Sequence, residues 1–219
     1  MFNAKYSILD ISPSLHEQTA VWPGDTKFRR KSNLRLQDGS SVELSEMTTT
    51  LHIGSHADAP SHYQEHAENI DQLDLSAYIG PCQVLDVQVA PGKRIYPKDI
   101  KQEILAERIL FRTSSFPNPN EFHSRFASLS KELVDFLAEK NCVLVGIDTP
   151  SVDPFDDKVL ESHHALLSHG MRNLEGLVLE HVREGKYFLS ALPLKIEGAD
   201  AAPLRAVLLD VWEEDANRT

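Results

Sequence analysis

Residues 51–63 read LHIGSHADAPSHY, and this stretch limits the possible folds more than any other part of the chain. His52, His56, Asp58 and His62 stand in it at relative positions 0, 4, 6 and 10. A helix would bring His52 and His56 onto one face, but Gly54 and Pro60, with the β-branched Thr48-Thr49-Thr50 just before, argue against a helix. In an extended chain all four even-numbered side chains project to one side. Full extension would nevertheless spread them over roughly 33 Å at about 3.3 Å per residue, whereas the ligands of one metal ion converge within a few ångströms. The segment must therefore bend, and Gly54 and Pro60 are the places where it can. Imidazoles with a carboxylate suit zinc and other borderline divalent ions.

Composition narrows the chemistry further. The 219 residues include ten histidines and two cysteines, so a bound metal must be held by histidine and carboxylate. Cys82 and Cys142 lie in apolar, strand-like segments and make neither a disulfide framework nor a zinc spacing. Thirty-three acidic against 22 basic side chains give a net charge of −11, and no Lys/Arg run offers a face for a phosphate backbone, which argues against a nucleic-acid partner. At 41% apolar and 25% charged residues the chain reads as an ordinary globular protein, one domain spanning residues 1–219. No apolar stretch approaches the roughly 20 residues that cross a bilayer, and MFNAKYSILDIS lacks the layout of a signal peptide. The expectation is a cytoplasmic protein without a membrane partner.

Short runs rich in Val, Ile, Leu and Phe predict strands at 82–89, 108–112, 143–147, 187–189 and 206–212. Three helices are predicted. One opens at Pro97 and runs through Ile100, Ile104 and Leu105; one is capped by Ser130 with Leu133, Phe136 and Leu137 on one face; one spans 158–169 with Gly170 just beyond it. Strands alternating with helices imply an α/β fold, a mixed sheet with helices packed on it. The VWPGD sequence at 21–25 reads as a type II turn and leaves Trp22 facing either a cavity or the core.

A second histidine window, ESHHALLSHGMRNLEGLVLEH, occupies 161–181. On the predicted helix Leu160, His163, His164 and Leu167 share a face, so a histidine there points inward. Glu175 precedes the apolar run Leu177-Val178-Leu179. A glutamate entering a buried strand is costly unless it is paired or bound to a cation; otherwise it belongs at an exposed edge.

The pattern His52-x-Gly54-Ser55-His56-x-Asp58-x-Pro60-x-His62 resembles the H-x-G-T-H-x-D-x-P-x-H signature of the cyclase-like metal-dependent hydrolases, and within them of the bacterial kynurenine formamidases. VWPGD around Trp22, DTPSVDP at 148–154, SHHALL…HG…LEGLVLE and ALPLKIEGADAAPLRAVL are similar as well, so the resemblance covers nearly the whole chain. Ser55 stands where the signature has Thr and keeps the hydroxyl.

The resemblance implies a single cyclase-like domain of the swivelling β/β/α type, with mixed β-sheet layers and packed helices. It implies two divalent ions per chain, most often Zn²⁺, with His52, His56 and Asp58 holding the first, His163 the second, and Asp58 and Glu175 bridging both. His163 is taken over His164 because it matches the first histidine of the pair. His62 would be the acid/base catalyst and Trp22 would line the substrate pocket. The implied reaction is hydrolysis of N-formyl-L-kynurenine, a small-molecule substrate, to L-kynurenine and formate by a homodimer. A metal ion lowers the pKa of water toward about 7, and a histidine near pKa 6.5 can carry the proton to the leaving amine. Two other readings stay open: a cyclic amide (isatin-type) hydrolase using the same site, and a non-catalytic zinc-binding protein, whose site would be closed.

Overall fold

The computed structural model describes residues 7–210, and its framework is a seven-stranded mixed sheet. Among the described residues the strands are β1 (Ser7–Asp10), β2 (Arg29–Leu34), β3 (Leu44–Thr48), β4 (His56–Asp58), β5 (Ile79–Asp86), β6 (Arg94–Ile95), β7 (Arg108–Arg112), β8 (Ser128–Leu129), β9 (Leu144–Ile147), β10 (Arg172–Leu174), β11 (Gly185–Ser190), β12 (Ala201–Pro203) and β13 (Val207–Asp210). The helices are α1 (Lys131–Glu139) and α2 (Glu161–Ser168). The large sheet runs β1-β13-β11-β5-β7-β9-β10. Its β1, β13, β11 and β5 pair antiparallel, and β5, β7, β9 and β10 pair parallel.

Both faces of β7 and β9 are buried, which is why Ile109-Leu110-Phe111 and Leu144-Val145-Gly146-Ile147 show no polar alternation. Ile109 and Phe111 of β7 and Val145 and Ile147 of β9 pack on one side with Leu133, Val134 and Leu137 of α1 and Leu166 of α2. Leu110, Leu144 and Val84 pack on the other side with Ile70, Leu73, Tyr78, Ala57 and Ala202. That second side is covered by the antiparallel pair β4–β12 and its flanking turns. The result is a helix layer, a sheet layer and a smaller strand layer, in keeping with the expected α/β organisation. No helix among the described residues is long and apolar enough to cross a membrane.

The strand expectations hold with shifted ends, except that Trp212 lies outside the described residues. The Ser130 cap is present, its side chain accepting from the Leu133 N–H. Two expectations fail. Instead of a helix from Pro97 there is a single 3-10 turn at Pro97–Asp99, closed by the Asp99 carboxylate accepting from the Tyr96 N–H at 2.8 Å. Gln83 then holds the following segment outside any helix, donating to Glu103 C=O at 3.0 Å and accepting from Leu105 N–H at 2.8 Å. Leu177-Val178-Leu179 is no strand either: Leu177 N–H bonds Ile147 C=O and Val178 N–H bonds Ile11 C=O, so the run crosses between two elements without joining a ladder.

Candidate metal centre

The site lies where the parallel strands β7, β9 and β10 end, the edge at which open α/β sheets place their ligand sites. The bends expected around the first histidine window are both there. Gly54 takes φ +57, and the chain turns through a 3-10 turn at Pro60–His62. Between them β4 presents His56 and Asp58 two residues apart on one face. Glu175, one residue past β10, pairs with His56 across an isolated antiparallel bridge, with N–H to C=O distances of 3.0 and 3.2 Å. Ser55 ties the same two segments, donating from its hydroxyl to Gly176 C=O at 2.9 Å.

These segments bring five of the expected ligands together. One oxygen of Asp58 faces His52 Nδ1 at 3.0 Å and His56 Nε2 at 3.5 Å, and its other oxygen faces His163 Nε2 at 3.3 Å. Glu175 faces His56 Nε2 at 3.4 Å through one oxygen and His163 Nε2 at 3.4 Å through the other. Each carboxylate thus stands between two sets of imidazoles. The ligand atoms of His52, His56 and Asp58 lie within 4.8 Å of one another, as do those of Asp58, His163 and Glu175.

His56 Nε2 and Asp58 Oδ1 are buried, and among the described residues neither has a hydrogen-bond partner. Leaving two such atoms unsatisfied is expensive, and a cation between them removes the expense. Asp58 and Glu175 are only 2% and 3% exposed, and carboxylates so buried are normally paired or bound to a cation. The donor set of imidazole nitrogen and carboxylate oxygen fits a borderline divalent ion.

The cluster also perturbs its members. For Asp58, burial raises the pKa, but the facing imidazoles of His163 and His52 more than offset it and hold the carboxyl well below its ordinary range. Burial would lower His52, yet Asp58 and then Asp200 raise it to about 9. For His163 the same burial is overcome by Asp153, Asp58 and Glu175, and its pKa lies well above the usual histidine value. His62 behaves oppositely, because burial lowers it and no close carboxylate compensates fully.

His62 is half-exposed beside the ligands, its ring centroid 4.2 Å from that of His52, and Asp200 stands 3.5 Å from its Nδ1. It opens with His52, His56, His163, Glu175 and Trp22 onto one cavity of about 520 Å³. Trp22 opens the expected turn, in which Asp25 N–H bonds Trp22 C=O at 2.9 Å and Gly24 takes φ +95. Its ring packs 5.0 Å from Phe155 and 5.5 Å from Phe122, so it lines the cavity while resting on an aromatic bed. Cys82 and Cys142 are free and buried, and burial pushes both thiols up to about 12, which makes them poor nucleophiles.

In the second window the expected face Leu160, His163, His164 and Leu167 is corrected. The buried residues of α2 are Ser162, His163, Ala165 and Leu166, and His164 is exposed. Leu160 adopts a left-handed conformation outside the helix, so α2 starts at Glu161 and its inner face is rotated.

Three polar partners were not singled out in the sequence. Asn173 donates to Asp58 at 2.7 Å and to Glu175 at 3.2 Å; its place two residues before Glu175 in an extended segment was the available signal. Asp200 bonds His52 Nε2 at 2.9 Å, and Asp153 bonds His163 Nδ1 at 2.8 Å.

Known proteins resemble this chain over most of its length. The family model described as "Putative cyclase" matches residues 9–154. The kynurenine formamidase of Bacillus cereus (strain ATCC 10987 / NRS 248) is 41% identical over 202 residues, covering 91% of this chain and 96% of the relative. That of Bacillus thuringiensis (strain Al Hakam) has the same identity and coverage. A solved structure titled as a potential metal-dependent hydrolase with cyclase activity superposes with a TM-score of 0.81 at 29% identity, covering 94% of this chain and 98% of that one. An isatin hydrolase bound to the product analogue thioisatinate superposes with a TM-score of 0.77 at 22% identity over 94% of this chain and 92% of that one, a likeness of fold.

Proposed function

The chain belongs to the cyclase family, and from that premise we propose that it is an arylformamidase hydrolysing N-formyl-L-kynurenine to L-kynurenine and formate. The observation that carries the metal-dependent part is the pair of orphaned buried atoms, His56 Nε2 and Asp58 Oδ1, facing each other inside the ligand cluster.

His52, His56 and Asp58 would hold one divalent ion, and His163 a second. Asp58 and Glu175 would contribute to holding both, a reading supported by the way each carboxylate directs its two oxygens at different histidines. Zinc is the ion assigned, from the imidazole and carboxylate donors. Bound there, such ions supply Lewis acidity toward the formyl carbonyl and lower the pKa of water.

The remaining work falls to the chain. Trp22 offers a flat face to the substrate ring, backed by Phe122 and Phe155. His62, whose pKa lies below the usual histidine value, accepts a proton from the attacking water as the new C–O bond forms. It returns that proton to the aniline nitrogen as the C–N bond breaks, which matters because an anilide anion is a poor leaving group. Asp200 Oδ2, bonded to His52 Nε2 at 2.9 Å, stands 3.5 Å from His62 Nδ1 and leaves the other ring nitrogen of His62 for the reaction.

An open cavity lined by ligands and by His62 favours catalysis over a closed storage site. The assembly assigned is a homodimer, supported by Leu34, Leu44 and Met47 exposed on the β2–β3 ribbon. Two free thiols suit a reducing cytoplasm.

The test is a spectrophotometric assay of kynurenine release from N-formyl-L-kynurenine, run beside isatin ring opening. The expected result is a kcat/KM at least tenfold higher for the formamide. Preference for isatin would replace the assignment with a cyclic amide hydrolase.

A further inference from the structure

The DTPSVDP segment contains an aspartate that touches neither the cavity nor a carboxylate of the cluster, yet contacts one of the ligands. Asp153 follows β9, is fully buried, and every contact it makes is with a donor. Its Oδ2 accepts from the His163 backbone N–H at 3.1 Å and meets His163 Nδ1 at 2.8 Å. Its Oδ1 accepts from the Ser162 N–H at 3.1 Å and from Arg94 Nη1 at 2.8 Å. Arg94, on β6, is itself fixed: Nη1 also donates to Leu129 C=O at 2.6 Å and to the Ser162 hydroxyl at 3.1 Å, and Nη2 donates to Asp157.

A histidine ring carries one proton when neutral, and it stays on the nitrogen with the closer acceptor. Asp153 stands 2.8 Å from Nδ1, whereas Asp58 and Glu175 stand 3.3 and 3.4 Å from Nε2, so the proton stays on Nδ1 and the Nε2 lone pair is left for a cation held with those two carboxylates. The two backbone bonds to Ser162 and His163 hold the first turn of α2 in place, so the same carboxylate sets where the ring stands and which way it is protonated. Arg94 supplies the positive charge that lets a carboxylate sit there buried.

We propose that Asp153, clamped by Arg94, is the positioning residue that fixes His163 as an Nε2 ligand of the second metal ion. This rests on the two-ion reading of the site. It accounts for the choice of His163 over His164 physically, since among the described residues no carboxylate contacts the exposed His164 ring. Carboxylates behind ligating histidines of this kind are worth 10–100-fold in metal affinity.

Asp153→Asn is the informative variant because it changes protonation more than shape. Arg94 and the Ser162 N–H are two donors, one of them charged, on the Oδ1 side against the single His163 N–H on the other, so the amide oxygen stays with them and the NH₂ faces His163 Nδ1 at the loss of the His163 N–H bond. A donor at Nδ1 shifts the ring proton to Nε2 and occupies the ligating lone pair. The experiment is a Zn²⁺ titration of metal-free wild type and Asp153→Asn against a chromophoric chelator, with circular dichroism on both. The expected result is two ions in the wild type, and in the variant a second-ion affinity lower by roughly 10–100-fold with the first ion and the spectrum unchanged. A wild type binding fewer than two ions refutes the two-ion reading and, with it, this role. Two ions in both proteins with equal affinities refutes the role of Asp153 alone.

Should Asp153→Asn fail to fold, ¹⁵N-histidine NMR of the zinc-loaded wild type decides the question. There His163 must show a proton-bearing Nδ1 and a coordinated Nε2, and coordination through Nδ1 overturns the proposal.

Discussion

Replacing Gly176 with alanine strikes at the contact that brings the two histidine windows together. Gly176 follows Glu175, has φ +64, and lies against the peptide between His52 and His56. A Cβ built there falls 2.1 Å from Gly54 O and 2.8 Å from Gly54 C, whereas real Cβ contacts are essentially never below 3.0 Å. The Gly54 carbonyl must therefore retreat by about 0.9 Å. Metal–ligand distances tolerate deviations of about 0.2 Å, so a shift several times larger between Glu175 and His56 opens the centre. Strain adds to this, since the left-handed conformation costs a Cβ-bearing residue roughly 1–2 kcal/mol.

Gly170→Ala separates the two effects, because Gly170 has φ +66 with nothing within 4 Å of its notional Cβ. For a chain of this length 1 kcal/mol moves Tm by about 2–4 °C, so Gly170→Ala lowers the melting temperature by about 2–8 °C and leaves metal binding intact. Gly176→Ala is expected to melt lower still and to lose Zn²⁺ affinity at least tenfold. The assay is a thermal melt of the metal-free proteins paired with a Zn²⁺ titration. If Gly176→Ala binds zinc like the wild type and melts with Gly170→Ala, the close packing of Gly176 on Gly54 is not what closes the site.

Other substitutions probe individual roles. His62→Ala is expected to keep its full metal content and lose roughly 10²–10⁴ in turnover, and loss of metal instead would make His62 a ligand. Since burial lowers the His62 pKa and bound cations act in the same direction, the acid limb of kcat/KM lies below pH 6.5, activity rising with pH through it; a limb above pH 7 contradicts the assignment. Asp58→Ala removes the oxygens facing His52, His56 and His163 and is expected to release both ions, which metal analysis of the purified variant reads directly. Trp22→Ala is expected to raise KM roughly two- to tenfold with kcat little changed, from an aromatic contact of about 0.5–1.5 kcal/mol; an unchanged KM places the substrate ring elsewhere.

The candidate centre was legible in sequence because its residues are rare types set at short range between chain-bending residues. Gly54 and Pro60 had to bend a segment whose His52, His56 and Asp58 would otherwise diverge, and they do. What escaped were partners whose roles depend on distant elements. Asp153 and Arg94 are separated by 59 residues and meet behind His163 only because β6 and the loop after β9 pack against the start of α2. Asp200 reaches His52 across 148 residues, near β12, which pairs with β4. The failed helix at Pro97 has the same cause: Gln83, on another strand, satisfies backbone groups that a helix would have paired internally. The inner face of α2 was misjudged because the periodicity could not show that Leu160 leaves the helix.

The most direct test of the account is metal analysis and N-formyl-L-kynurenine hydrolysis measured on one sample as the wild-type chain is stripped by a chelator and reloaded with Zn²⁺. The account predicts no turnover in the stripped protein and recovery that tracks metal content up to two ions per chain. Undiminished hydrolysis by fully demetallated protein would contradict it.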